Sequence, residues 1–345
     1  DEETNINETI SYEPSKSIDK ARFGDERPYI EAIVKASGNI NPVYLDSKDI
    51  TPIDGMFKML NILNGPVHAA CNSYWLVDIP YTASKSDFGT LLTGEHGNAN
   101  ISFTGLDYLL TWQMFYKAFG LKKSIKQKII KPIVFNHFEN IYKRIRYKEN
   151  HWETYSHLNP QLGEKINLNN LMKSEGHDST FKFYLSDSKE MMLKIIMPGF
   201  NPRCYLGAIM GNSFGVEWRD PTADKRVIEY ALTIPNEAYF NEKGEWKQIL
   251  KLMMGKQLPD KVLYEKGKGL QSADIGLRIT KEKERLDEQI NKLSESSLVK
   301  EYIDLKKLKN EWEQVKSIND NSYDNTKIHH LLRTIMISTF LTRFD

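Results

Sequence analysis

The chain has 345 residues, enough to bury a sizeable core in one large α/β domain or in two or three average ones, so length alone does not choose. Lys+Arg number 47 against Asp+Glu 46, a formal net charge of +1, which removes the electrostatic argument for a nucleic-acid or membrane-surface protein because either normally carries a basic excess. The two cysteines, Cys71 and Cys204, have no CxxC partner, which argues against a disulfide framework and a structural zinc site and fits a reducing, cytoplasmic setting.

No run reaches the roughly eighteen consecutive apolar residues of a membrane span, and the acidic opening DEETNINETI is the opposite of a secretory signal. In chain order, Thr9 to Tyr12 reads as a short strand. Asp25 to Ser37 reads as a helix with Pro28 in its first turn, Ile30, Ile33 and Val34 on one face, and Gly38 at its end. Pro42 to Asp46 (PVYLD) is a second short apolar run, helical patterns cover Pro52 to Leu63 and Pro66 to Ser84, and Phe88 to Thr93 (FGTLLT) is a third strand. Strands alternating with helices of this length predict a parallel sheet with right-handed crossovers, whose ligands bind outside the carboxyl ends of the strands. From Leu106 onward the chain reads as mainly helical: an aromatic-rich segment from Tyr108 to Phe119 and a basic helix from Ser124 to Tyr147. Asn150 to Ser179 reads as a polar loop, and Glu282 to Leu308 as a solvated helix with Leu286, Ile290, Leu293 and Leu298 on one buried stripe.

Three stretches carry candidate chemistry. TGEHGNANIS (Thr93 to Ser102) follows the third strand directly, and its glycines let backbone N–H groups approach a phosphate or acyl-phosphate; a plain strand-to-helix turn is the other reading. Glu95 is the ionisable carboxylate of that turn, placed to orient a metal-bound phosphate or to accept a proton, while His96 suits solvated surface as readily. In FGVEWRDPTADKRVIEYALTIP (Phe214 to Pro235), Pro221 holds Asp220 out of helical geometry. Asp224 caps a helix that turns Val227, Ile228, Ala231 and Leu232 inward, and Pro235 stops it. The charges Glu217, Arg219, Asp220 and Asp224 there read as an active-site loop or as a salt-bridged corner, and the stretch has no nucleophile. Gly244 to Asp274 holds a helix (Trp246 to Met254), the turn LPD, and the loop EKGKGLQ. In that loop Gly267 and Gly269 clear space around Lys268 on a flexible backbone, which suits a polyphosphate leaving group, a solvated basic turn being the alternative. No histidine shows HxxxH or HExxH spacing, so no protein-held metal is expected, and GxSxG, Cys/His and GxxxxGK[ST] patterns are absent.

Taken together, GDERPYIEAIVKASGNINPVYLD, LLTGEHGNANIS, FGVEWRDPTADKRVIEY and LPDKVLYEKGKGLQSAD resemble, in order and spacing, the synthetase domain of the asparagine synthetase superfamily. The likeness covers nearly the whole chain and is closest to the asparagine-synthase-related proteins that include lasso-peptide macrolactam cyclases. It implies a parallel sheet of the ATP-pyrophosphatase type over residues 1–105, followed by a helical part over residues 106–345. It also implies ATP and Mg2+, the metal entering through the nucleotide phosphates, and a carboxylate (aspartate or a peptide side chain) that is adenylated and passed to an amine. By the resemblance, Thr93, Gly94, Glu95 and Asn98 form the second ATP-binding turn with Glu95 in the functional acid position, and Lys268 serves the pyrophosphate and the acyl-transfer transition state. Arg219, Pro221 and Asp224 form its structural corner, so that a change at Arg219 is expected to lower stability before activity. No nucleic-acid or membrane partner is implied.

Two departures qualify the likeness. Asn98 stands where asparagine synthetases carry a magnesium-holding aspartate. The pyrophosphate loop SGGxDS does not occur, and neither does the glutaminase half that precedes the synthetase domain in asparagine synthetases. The expectation is therefore a synthetase domain without its first strand, phosphate loop and first helix, with weak ATP binding and an unpaired sheet edge unless an upstream segment or partner chain supplies them. The synthetase half of a glutamine-hydrolysing asparagine synthetase, and a non-catalytic or peptide-binding relative, are the competing readings.

Overall fold

The computed structural model describes residues 22–23, 25–103, 106, 109–131, 133, 150–177, 187–196, 203–265, 267–317 and 325–345. These are mostly helical, with two separate two-stranded parallel ladders: Arg22–Phe23 beside Lys268–Gly269, and Thr90–Leu92 beside Glu217–Arg219. Among them no helix is long and apolar enough to cross a membrane. The chain divides into two units interleaved in sequence, one of Asp1–Lys85, Glu153–Leu168 and Glu265–Asp345, the other of Ser86–Trp152 and Asn169–Tyr264.

In the first unit, the helix Arg27–Ser37 starts with Pro28, whose missing N–H is harmless in a first turn, and ends at Gly38 in the left-handed region (φ 69°). The helix Pro52–Leu63 is capped by Thr51, whose hydroxyl accepts from the Asp54 amide at 3.1 Å, and it buries Ile53, Met56, Met59 and Leu60 at helical spacing. It packs on the helix Ser73–Lys85 so closely that a Cβ on Gly55 would overlap the backbone N and Cα of Tyr74. Since backbone cannot rotate away as a side chain can, Gly55→Ala is expected to cost about 2–3 kcal/mol, read as a fall of several degrees in melting temperature. An unchanged melting temperature would mean the two helices do not approach this closely. The C-terminal helix Asn325–Leu341 is the unit's centre. Ile328, Leu331, Leu332, Ile335 and Met336 are fully buried, and the helix touches Pro52–Leu63, Ile275–Lys281, Lys283–Leu293 and Leu305–Lys316.

The second unit is built on a cluster of Phe103, Leu110, Phe115, Met192, Ala231, Ile234, Tyr239 and Phe240, with Phe103 and Tyr239 edge to face at 5.4 Å. The helix Arg203–Ser213 lies over the strand Glu217–Arg219. Gly211 is required there, because a Cβ would strike the Val216 carbonyl and the Trp218 side chain.

Several expected elements differ. Pro42 to Asp46 is not a strand: Val43 is 70% exposed, Pro42 has no N–H to donate, and no strand lies beside it among the described residues. What fixes this segment is its end, where the Arg278 guanidinium donates to the Asp46 and Ser47 carbonyls and Ser47 donates to the Asp78 carboxylate at 2.7 Å. Glu282 to Leu308 is broken after Leu293. Ser296 accepts from the Val299 amide at 3.0 Å and caps a new helix, Ser297–Tyr302, so that Val299 is buried and Leu298 only half so. Asn150 to Ser179 contains the helices Pro160–Lys165, capped by Asn159, and Leu168–Ser174. Pro66 to Ser84 is helical only from Ala70, first as a 3₁₀ turn (Ala70–Asn72) and then as Ser73–Lys85. The basic helix begins at Leu121 and passes into a π-helical turn, Lys126–Ile130, beyond which most of Ser124 to Tyr147 lies outside the described residues, as does Thr9 to Tyr12.

Candidate functional site

In the second unit the ladder sets Thr90 opposite Glu217, Leu91 opposite Trp218 and Leu92 opposite Arg219. The Thr93 amide extends it by donating to the Arg219 carbonyl at 2.8 Å. Because the strands are parallel, two turns leave side by side from their carboxyl ends, one through Thr93 to Asn100 and the other through Asp220 to Asp224. The carboxylate of Asp220 joins them. One oxygen accepts from the His96 amide at 2.9 Å and from the His96 ring Nδ1 at 2.8 Å. The other accepts from the Thr222 amide at 2.9 Å and from the Thr222 hydroxyl. The Asn100 side chain closes the arrangement by donating to the Thr222 carbonyl.

His96 is 4% exposed and the Asp220 side chain 9%. Burial pushes the Asp220 carboxyl up, but the donated bonds from Thr222 and His96 outweigh it and hold the group below its ordinary range. For the short Nδ1 contact to be a hydrogen bond, Nδ1 must carry the proton, which fixes the ring's orientation. The histidine that the sequence left as solvated surface is thus a buried clamp. Arg219, taken from the sequence as the corner's support, is 61% exposed and reaches only Glu217, at 2.7 Å. Sequence reasoning missed this clamp because 124 positions separate its members; the available signal was an aspartate directly before a proline, a position whose side chain turns back to bond the following amides. Asp224 caps the helix Lys225–Thr233 as expected, accepting from the Arg226 amide at 2.8 Å, and the Arg226 guanidinium holds its carboxyl down to about 2.

Four expected site residues lie in this one turn. Thr93 is half-buried, and its hydroxyl oxygen is sealed from water with no hydrogen-bond partner. Gly94 is exposed, with open space where a Cβ would stand. Glu95 is half-buried and opens the 3₁₀ turn Glu95–Ala99; Asn98 is exposed, its side-chain oxygen 3.4 Å from the Ser102 hydroxyl.

Lys268 lies in the first unit and is described through its backbone, which pairs with Arg22 in the parallel ladder. Its loop is tied on both sides. Before it, the Glu265 carboxylate accepts from the Gly267 amide and from the Tyr29 hydroxyl, a bond that raises the pKa of Tyr29. After it, Ser272, itself in the left-handed region at φ 50°, donates to the Asn72 side chain at 2.6 Å and accepts from Trp75 Nε1 at 3.1 Å. Gln271 accepts from Asn72 at 3.2 Å. Gly269 leaves no room for a Cβ against the Glu26 carboxylate. The lysine therefore stands on a pinned segment, where the sequence suggested a flexible one. Among the described residues no group of three or more His, Cys, Asp or Glu side chains is placed to hold a metal ion.

No curated protein and no solved structure matches the chain. The family model for asparagine synthase matches residues 9–342, a span that includes both the clamped turn and the pinned lysine loop. The chain therefore belongs to the asparagine synthase family, whose members are ATP-dependent, amide-forming synthetases.

Proposed function

We propose that this chain is an AMP-forming carboxylate–amine ligase: a substrate carboxylate is adenylated, pyrophosphate leaves, and an amine takes the acyl group. The observation that carries this reading is the turn at the carboxyl end of the ladder Thr90–Leu92, held in shape by Asp220 and presenting Thr93, Gly94, Glu95 and Asn98 together. A glycine with open space beside it at the carboxyl end of a strand suits a phosphate or a ribose, and it belongs to a sheet edge that we assign to the ATP-pyrophosphatase-type sheet of the family. Glu95 accepts the proton lost by the attacking amine. Lys268 neutralises the charge that develops on the leaving pyrophosphate. Mg2+ would enter through the nucleotide phosphates, as it commonly keeps its waters and uses substrate oxygens, and no side chain of this chain is assigned to it.

The RDPTAD corner and the GKGLQ loop resemble those of the asparagine-synthase-related proteins that include macrolactam cyclases, so the carboxylate is that of a peptide side chain or of aspartate. The SGGxDS pattern does not occur in these 345 residues, so exchange is expected in a form to which a segment or a partner chain carrying that pattern has been added. The test is ATP–pyrophosphate exchange with aspartate and with candidate peptides, run on this chain and on an upstream-extended form. Exchange with a peptide supports the macrolactam reading, and exchange with aspartate alone supports asparagine synthesis. No exchange by the extended form with either class removes the ligase reading, and a non-catalytic relative is then what remains.

A further inference from the structure

The C-terminal helix Asn325–Leu341 carries a cation without a counter-charge. Arg333 lies between the fully buried pairs Leu331, Leu332 and Ile335, Met336; it is half-buried, and its Nε is sealed from water with no hydrogen-bond partner. Arg27, Arg219, Arg226, Arg278 and Arg285 each meet a carboxylate at 2.6–2.8 Å. Arg333 meets none.

Among the described residues, histidines and a thiol are its neighbours. His329 and His330 precede it by four and three residues, one turn back along the helix. The segment around Val67 to Cys71 lies against the same helix, its Val67 amide donating to Met336 Sδ at 3.5 Å. Burial, then the charges of Arg333, His330 and His68, lower the pKa of His329, which places these groups within electrostatic reach of one another. Burial likewise lowers His330. The fully buried Cys71 thiol is pushed up to about 12 by burial, against the pull of Arg333, so it is neutral at pH 7 and supplies no negative charge. Among the described residues the carboxylate that acts on His330 is Glu311, which lies 2.5 Å from His157.

A guanidinium taken half out of water without a partner is costly, and its planar fork of donors matches a carboxylate or a phosphate. We propose that Arg333, with His329 beside it, is a binding site for an oxyanion of the phosphate or carboxylate class. The exposed His68 and the exposed part of Arg333 let the ion enter from solvent. The assignment is independent of the ligase reading.

The test titrates the full chain with inorganic phosphate and, separately, with succinate at constant ionic strength, following heat and melting temperature. At least one of them is expected to raise the melting temperature of the wild type. Arg333→Met is expected to weaken that binding by about tenfold or more. Arg333→Lys, which keeps the charge but not the fork, is expected to fall between the two. With no anion present, Arg333→Met is expected to melt higher than the wild type, because an unpaired, half-buried charge has been removed. Lys256→Met, which removes a positive charge at an exposed position, should respond to the anion as the wild type does. Protection by phosphate alone or by succinate alone identifies the class of ion. The proposal is overturned if neither anion protects the wild type, or if every Arg333 variant that folds binds within about twofold of it.

Discussion

Lys268→Met is expected to lower ATP–pyrophosphate exchange by about a hundred- to a thousandfold in whichever form of the protein exchanges, with a melting temperature unchanged from the wild type. The two halves of this result have different physical origins. Exchange falls because a point charge at the leaving pyrophosphate acts where charge develops, and such a contact is worth a few kcal/mol. Stability holds because the loop is pinned by its backbone and by its neighbours. The Glu265 carboxylate anchors the Gly267 amide, Ser272 and Gln271 are tied to Asn72, and the backbone of Lys268 stays in its ladder with Arg22. Lys268→Arg keeps the charge but replaces a compact ammonium by a broad fork in a loop flanked by two glycines, so partial activity is expected. Lys256→Met, at an exposed position, is the matched control and should leave exchange unaltered. Full exchange by Lys268→Met would remove the lysine from the mechanism, whatever the family likeness suggests.

The elements that the sequence made legible are those decided locally. Pro52–Leu63 has a threonine cap, a proline in its first turn and a single apolar stripe, and it was readable to the residue. The Asp224 cap and the glycine end at Gly38 are likewise contained within a few positions. What was not legible depends on distant partners. PVYLD has the composition of a strand and no neighbour to pair with, whereas Glu217–Arg219, read as a loop, is a strand because Thr90–Leu92 lies beside it. The serines at 294, 296 and 297 signalled a helix break, but the stripe of Leu286, Ile290, Leu293 and Leu298 looked continuous and outweighed them. In the candidate site, the turn at Thr93 was found because a glycine turn after a strand is a local signal. The clamp that shapes it was not, because a histidine and an aspartate in separate stretches each resemble solvated surface until the fold buries them together.

That clamp carries the largest expected effect on stability. Asp220→Ala would leave the His96 ring N–H, the His96 amide and the Thr222 amide without their acceptor inside a nearly water-free corner, and a loss of about 3 kcal/mol is expected in urea denaturation. Asp220→Asn keeps one acceptor oxygen but turns an amine toward donors that need an acceptor, so it should fall between Asp220→Ala and the wild type. Arg219→Ala should leave stability indistinguishable from the wild type, since its ion pair with Glu217 stands in solvent. The acid dependence follows from the direction of the Asp220 shift. The folded carboxyl lies below its ordinary 3.8, so the unfolded chain takes up the proton first. The stabilisation is complete above that value and disappears as the pH falls through the lower, folded one. Asp220→Asn should therefore lose part of the wild type's steepening instability in acid while Arg219→Ala keeps it. Exchange should fall in Asp220→Asn as well, because the turn that presents Glu95 is anchored through His96, the next residue. If Arg219→Ala proved the more destabilising of the two, the corner would be held by its exposed ion pair and the buried clamp would be incidental.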